Sequence, residues 1–428
     1  MKRLALSQKG SFTSFIIKMA LGAVALSSAT IIIATSLING FQKEIREKIF
    51  GFWSHINIAP FSLTQSLEER AIYKYQDFYL RPEIFKQAKH IQATAYKAGL
   101  LKTRTSFDGI ILKGAGADFY RENFNAYLKK GQFLSSDTSE AYQQIVISTA
   151  TAKRLNLDIG DKVSVHFMGK SHKARPFKVC GIYETGMEEF DRQFAITSLA
   201  VLQDLNGWGR DSVGSFEIYL DGNNLSRSRI SDYLLTLFGG LLPEQLYNQL
   251  QAEPIDRIAE DFYYIIYTRG LDVQTIKSLN PGIFDWLGLQ TMNEIIILFL
   301  MAVVAVMNVI TALLILILEH IPSIGIWKAM GSDNSSIRKI FIYYGIIITA
   351  GGIVLGNVVG ISLCLIQKKF GLITLPQESY YLSKAPIALK PLWILAINAF
   401  TVIICSIFLL FPVRIIKNIN PVTAIRFR

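Results

Sequence analysis

Four stretches of this chain run for 23 to 28 residues without a single Asp, Glu, Lys or Arg: Met19–Gln42, Ile295–Leu318, Ile340–Gln367 and Pro391–Val413. A helix of roughly 20 apolar residues crosses the hydrocarbon core of a bilayer, so each stretch predicts a membrane span. One lies near the N-terminus and three follow residue 290, with about 250 residues of ordinary soluble composition between them. The pattern predicts an α-helical membrane protein with four transmembrane helices in a 1+3 layout and a large mixed α/β extracytoplasmic domain.

The predicted order is an N-terminus and first span over 1–42, the α/β domain over 43–290 and a second span over 291–319. An inner loop follows over 320–339, a third span over 340–367, an outer loop over 368–390, a fourth span over 391–413 and a tail over 414–428. In FQKEIREKIF, Phe41, Ile45 and Ile49 recur at i, i+4 and i+8, which continues the first span as an amphipathic helix. Within the domain, 143–147, Lys162–Phe167, Pro176–Tyr183 and Phe216–Leu220 read as strands. Residues 148–156 read as a helix, Asp158–Asp161 as a turn and Asp204–Gly209 as a loop.

Charge orients this layout. Residues 1–39 carry four basic side chains and no acid, and residues 286–428 carry 11 basic against 4 acidic, so the net +11 flanks the spans and the middle is neutral. A nucleic-acid-binding domain is basic in its own right, which excludes that class here. Basic residues favour the cytoplasmic side, so both termini are expected there, with membrane lipid as a partner of the flanking charge. The outer loop, with four Lys against three basic residues in the inner loop, runs against that count, and the two termini outweigh it. The first stretch exceeds the usual apolar region of a cleaved signal and lacks a closing A-x-A site, so it reads as a retained anchor.

Candidate chemistry is sparse. The 3 cysteines are Cys180, Cys364 and Cys405; two lie in spans and Cys180 is alone in the domain, so no intradomain disulfide forms. His166 and His172 flank a hairpin turn, which outweighs a metal pair. There is no GxSxG, HExxH or Gly-rich nucleotide fingerprint, and Gly169-Lys170-Ser171 lacks the leading Gly of a phosphate loop. No catalytic residue, metal site or cofactor is expected, and an outer-domain enzyme lacks its polar cluster.

The inner loop is the most specific segment. Pro322 suits a first helical turn and Gly331 a helix C-terminus, framing a short helix through Ile324, Gly325, Ile326, Trp327, Lys328, Ala329 and Met330. Its apolar content suits an interfacial helix on lipid or a helix docking in a partner's groove. Ser332–Ser335 supplies N-cap candidates for the next helix. In the third span, Gly352, Gly356 and Gly360 form a doubled GxxxG, a close helix-packing face within the protomer or against a second subunit. Asn308 in the second span reads as an interhelical hydrogen bond.

Segment 319–345 (EHIPSIGIWKAMGSDNSSIRKIFIYYG) resembles the coupling segment of FtsX-like ABC transporter permeases, a superfamily that includes Lol-type lipoprotein-release permeases and MacB-type efflux pumps. Glu319, Ile324, Gly325, Ile326, Lys328, Ala329 and Gly331 match its pattern; His320 and Ser323 depart from it, where the family has Arg and an acidic residue. Asn39–Gly51 with His55 resembles the outer end of the first span in the Lol branch, and Asn420–Arg426 the superfamily's tail motif.

The resemblance implies a bacterial inner-membrane permease, not itself an enzyme, that works as a homo- or heterodimer with two cytoplasmic ATPase subunits. Those subunits bind the ATP and press on residues 322–331. The spans then transmit motion to the outer domains, and substrate need not pass through them. The near absence of ionisable groups in the spans agrees with that mechanism. The outer region's size suits lipoprotein release to a periplasmic carrier. The stretch Met168–Pro176 is shorter than the carrier-recruiting hook loop of that branch. The alternatives are a permease that signals to cell-wall hydrolases and an efflux permease of MacB type without its fused ATPase.

Overall fold

The computed structural model describes residues 12–61, 70–103, 106–167, 173–221, 254–376 and 380–418. Five helices matter most: α1 (Phe12–Phe52), α2 (Pro281–Glu319), α3 (Ile321–Ala329), α4 (Asn334–Phe370) and α5 (Pro391–Val413). Those other than α3 are long and apolar enough to cross a membrane, which matches the four predicted spans. Helix α1 runs unbroken through the predicted extension, with Phe41, Ile45 and Ile49 all buried. Helix α2 begins at Pro281, ten residues ahead of the predicted second span. Proline fits there because the first turn needs no N–H from it.

Backbone contacts divide the chain into two compact units. The membrane unit comprises described residues within 1–43, 288–374 and 384–428, and the α/β unit those within 44–287 and 375–383.

The core of the membrane unit is shared by all five helices, with Val24, Val309, Leu313, Leu316, Ile324, Ile337, Phe341, Leu409 and Val413 in one buried cluster. Large apolar side chains on the outside, such as Phe299, Val358 and Leu395, remain exposed, as expected where lipid is the solvent.

The α/β unit is built from strands β1 (Ile56–Pro60), β2 (Ile72–Tyr73), β3 (Ala88–Thr94), β4 (Tyr96–Lys102), β5 (Phe107–Ala115) and β6 (Leu128–Gly131). Then come β7 (Gln144–Ser148), β8 (Lys162–Phe167), β9 (Lys173–Tyr183), β10 (Phe194–Ser198), β11 (Ser212–Val213), β12 (Ser215–Leu220) and β13 (Leu271–Thr275). One sheet is antiparallel in the order β13-β1-β12-β3, a second runs β6-β9-β7-β10-β5-β4-β8, and β2 and β11 form a small two-stranded antiparallel sheet. The second closes on itself because β8 also pairs with β9. Strands β3 and β4 are separated only by the buried Ala95, so one stretch of chain serves both sheets.

Most predicted elements appear close to their predicted bounds, and β8 has them unchanged. Two differ. Strand β9 starts at Lys173 and not Pro176, because its first residues pair with Val165–Phe167 of β8. A helix, Leu199–Asn206, enters the predicted 204–209 loop and stops where Gly207 turns left-handed at φ +69°. Residues 168–172, with the Gly169–Ser171 stretch and His172, and the tail motif at 420–426 lie outside the described residues.

Candidate coupling site

Helix α3 is short because both ends are strongly specified. Pro322 occupies its first turn. At the other end Ser332 N–H donates to Trp327 O and Gly331 N–H to Lys328 O, both at 3.0 Å. Gly331 sits at φ +90°, so the terminus is a Schellman motif that needs a glycine at this point. Asp333 then caps α4, its carboxylate accepting from Ser335 N–H at 3.0 Å.

The two faces of α3 have different fates. Ile324 and Gly325 are buried, and Ile324 joins the cluster with Ile337, Phe341, Leu409, Val413 and Ile416. Lys328 lies on the same side and donates to Ile416 O at 2.7 Å; burial pushes its ammonium pKa down. The opposite stripe, Pro322, Ile326, Ala329 and Met330, is exposed, with Ile326 at 50% and Met330 at 70%. These positions fall at i, i+4, i+7 and i+8, one face of a helix. Trp327 is half-buried at the boundary and packs on the core. Gly331 is exposed. The nine residues from the predicted segment therefore divide: some hold α3 to the membrane unit, and the rest present an apolar stripe.

The three glycines of α4 all meet α1. A Cβ at Gly352 would stand 2.7 Å from Val24 Cβ, at Gly356 2.5 Å from Ala25 O and at Gly360 3.1 Å from Ala29 Cα. The doubled GxxxG is thus occupied within the protomer. Asn308 is half-buried on α2. Among the described residues an amide pair joins α4 and α5: Asn398 Nδ2 of α5 donates to Asn357 Oδ1 of α4 at 3.1 Å.

In the α/β unit, sequence reasoning missed a buried polar cluster where the two sheets meet. Lys113 of β5 pairs with Glu217 of β12 at 2.8 Å, both side chains almost fully buried. Lys113 also donates to Phe52 O at 3.0 Å, the last carbonyl of α1, and lies over the Phe52 and Trp53 rings. Glu217 accepts from Gln92 Nε2 at 2.6 Å and from the Tyr96 hydroxyl. Close by in sequence, His55 stacks on Phe50 at 4.2 Å and its Nδ1 accepts from Leu220 N–H at 3.1 Å. Burial drives the His55 pKa down to about 4.

One open cavity on this unit, about 610 Å³, is lined by Lys153, Arg154, Glu184, Glu188, Asp191 and Arg192. Its charges serve the fold. Arg192 pairs with Glu188, Arg154 with Asp108, and Asp191 accepts from Thr185 N–H, Thr185 Oγ1 and Gly186 N–H. No trio of His, Cys, Asp or Glu among the described residues is placed to hold a metal.

Two family models match the chain: the MacB-like periplasmic core domain over residues 19–229 and the FtsX-like permease C-terminal domain over 295–421. The chain is 21% identical to the "Lipoprotein-releasing system transmembrane protein LolC" of Xylella fastidiosa, over 100% of this chain and 97% of that one. It is 22% identical to the LolE protein of the same system from Haemophilus influenzae, over 84% of this chain and 79% of the relative. Among solved structures, the periplasmic region of MacB from Actinobacillus actinomycetemcomitans aligns over 55% of this chain and 95% of its own length, at 14% identity and a TM-score of 0.33. With four apolar helices, a periplasmic-core domain after the first and an FtsX-like region over the last three, the chain belongs to the FtsX-like, MacB-like superfamily of ABC transporter permeases.

Proposed function

We propose that this chain is the permease subunit of a bacterial inner-membrane transporter that releases lipoproteins by mechanotransmission. It catalyses no reaction itself. Two copies of a separate cytoplasmic ATPase bind and hydrolyse ATP, a second permease completes the dimer, and a periplasmic carrier accepts the cargo. The observation that carries this reading is the division of α3. One face is embedded in the packed core of the membrane unit, so a push on the helix reaches α2, α4 and α5 directly. The other face is an apolar stripe short enough for a groove on a globular partner.

The stripe gives the test. Ile326→Asp with Met330→Asp is expected to abolish co-purification of the ATPase while the permease keeps its melting temperature. Retained co-purification would remove α3 as the docking element. Gly325 is a poorer probe, since it is buried and a side chain there reports packing. The cargo class is tested by depletion: outer-membrane lipoproteins should accumulate in the inner membrane, and normal sorting would exclude lipoprotein release.

A further inference from the structure

The outer ends of α4 and α5 carry four exposed lysines: Lys368, Lys369, Lys384 and Lys390. This is the group that ran against the charge count in the sequence, where residues 368–390 hold four Lys and one acid, Glu378. A cation excess at this end of the spans works against the usual orientation signal, so it calls for a physical reason.

Three of the lysines frame one turn. Lys368 and Lys369 lie in the last turn of α4, which Gly371 ends at φ +60°. Lys384 pairs with Thr374 in an isolated bridge, and its side chain crosses Gly371 so closely that a Cβ there would meet Lys384 Cδ at 2.8 Å. Gln367 fastens the same turn: its Nε2 donates to Ile373 O at 3.3 Å and Ala385 O at 3.1 Å, and its Oε1 accepts from Ile373 N–H at 3.0 Å. Lys390 is the N-cap of α5.

Their depth follows from the helices. The paired Asn357 and Asn398 give a common level. At 1.5 Å per residue, Lys390 stands about 12 Å and Lys368 about 17 Å along the helices from it. That difference of about 5 Å fits within the headgroup layer on one side of a bilayer. Trp393 lies one turn inside Lys390, where interfacial aromatics gather. Phe370, Leu372 and Ile373, exposed at 62%, 70% and 54%, intersperse the charges. Cations with exposed apolar neighbours at this depth match a phosphate above an acyl chain.

A bland account covers only half of the set. Lys368 and Lys369 complement the negative end of the α4 dipole, but Lys390 sits at the positive end of α5, where a cation is disfavoured, and Lys384 is in no helix. We propose that Lys368, Lys369, Lys384 and Lys390 form a binding surface for anionic phospholipid headgroups of the phosphatidylglycerol type, in the leaflet that surrounds these helix ends. The proposal does not depend on the cargo of the transporter.

The test is native mass spectrometry of the full chain in neutral detergent, titrated with phosphatidylglycerol or phosphatidylcholine of the same acyl chains. Phosphatidylglycerol is expected to bind preferentially, by about fivefold per lysine engaged. The K368Q/K369Q/K384Q/K390Q variant should lose that preference and the four-Arg variant should keep it. K86Q/K102Q/K162Q/K178Q, which removes the same charge from exposed sites of the α/β unit, should leave it unchanged. Equal binding of both lipids by the wild type overturns the proposal, as does a preference that survives in the four-Gln variant or vanishes in the control. Displacement by millimolar inorganic phosphate would make this a free-phosphate site and overturn the lipid assignment.

Discussion

Lys113 shows how much one buried charge can hold. Its ammonium joins β5 to β12 through Glu217 and closes the end of α1 through Phe52 O. Removing one member of a buried, hydrogen-bonded pair leaves the other charged and unpaired, at about 3–5 kcal/mol. Lys113→Met and Glu217→Leu should each lower the stability of the purified chain by that order, and the double variant by clearly less than their sum. Additive losses in chemical denaturation would show that the pair is not coupled. His55 supplies a pH signature. Its folded pKa near 4 lies below the unfolded value of 6.5, so the unfolded chain binds the extra proton between them. Stability from this residue is complete above about pH 6.5 and falls as pH drops toward 4, by about 3 kcal/mol in all. Protonated Nδ1 also cannot accept from Leu220 N–H. His55→Gln should flatten that part of the stability profile, and an unchanged slope would assign it to other groups.

At the scale of elements, α4 approaches α1 closely because Gly352, Gly356 and Gly360 present no side chain at the points where a Cβ would meet Val24, Ala25 and Ala29. Gly356→Leu should lower the melting temperature in detergent, with an overpacking cost of about 1–3 kcal/mol, and unaltered melting would mean that α1 yields freely. What the sequence made legible follows from how local each signal is. The spans were readable because charge is absent for 23 to 28 residues within each long helix, and β8 because its alternating side chains declare a strand within six residues. The start of β9 was hidden by Lys173 and Arg175, polar residues that pair only because β8 lies opposite. Lys113 and Glu217 are far apart in sequence and become partners only when both sheets form. Nothing in one sequence tells which deep asparagine faces another, as Asn357 and Asn398 do. The face of α3 that would remain exposed was equally unreadable, since both of its faces are apolar.

For the whole molecule, charge and chemistry are divided by region. Residues 40–285 have a neutral sequence, and the α/β unit uses its buried ionic groups to join strands, while basic residues collect beside the spans. The sequence carries no Gly-rich nucleotide fingerprint; under the proposed function, the purified permease should release no phosphate from ATP above background. Turnover by a preparation free of other subunits would refute the expected division of labour.

The placement of β1 has a consequence in time. Its five residues sit between β12 and β13, pairing Ile56 with both Ile218 and Thr275. During synthesis β1 emerges early, and its second partner follows more than two hundred residues later. At about 5–20 residues per second that wait is on the order of ten to forty seconds. Both edges of the strand stay bare until β12 emerges, and the edge that β13 covers stays bare until just before the second membrane helix is made, so for that time the newborn domain is open to proteases and to wrong pairing.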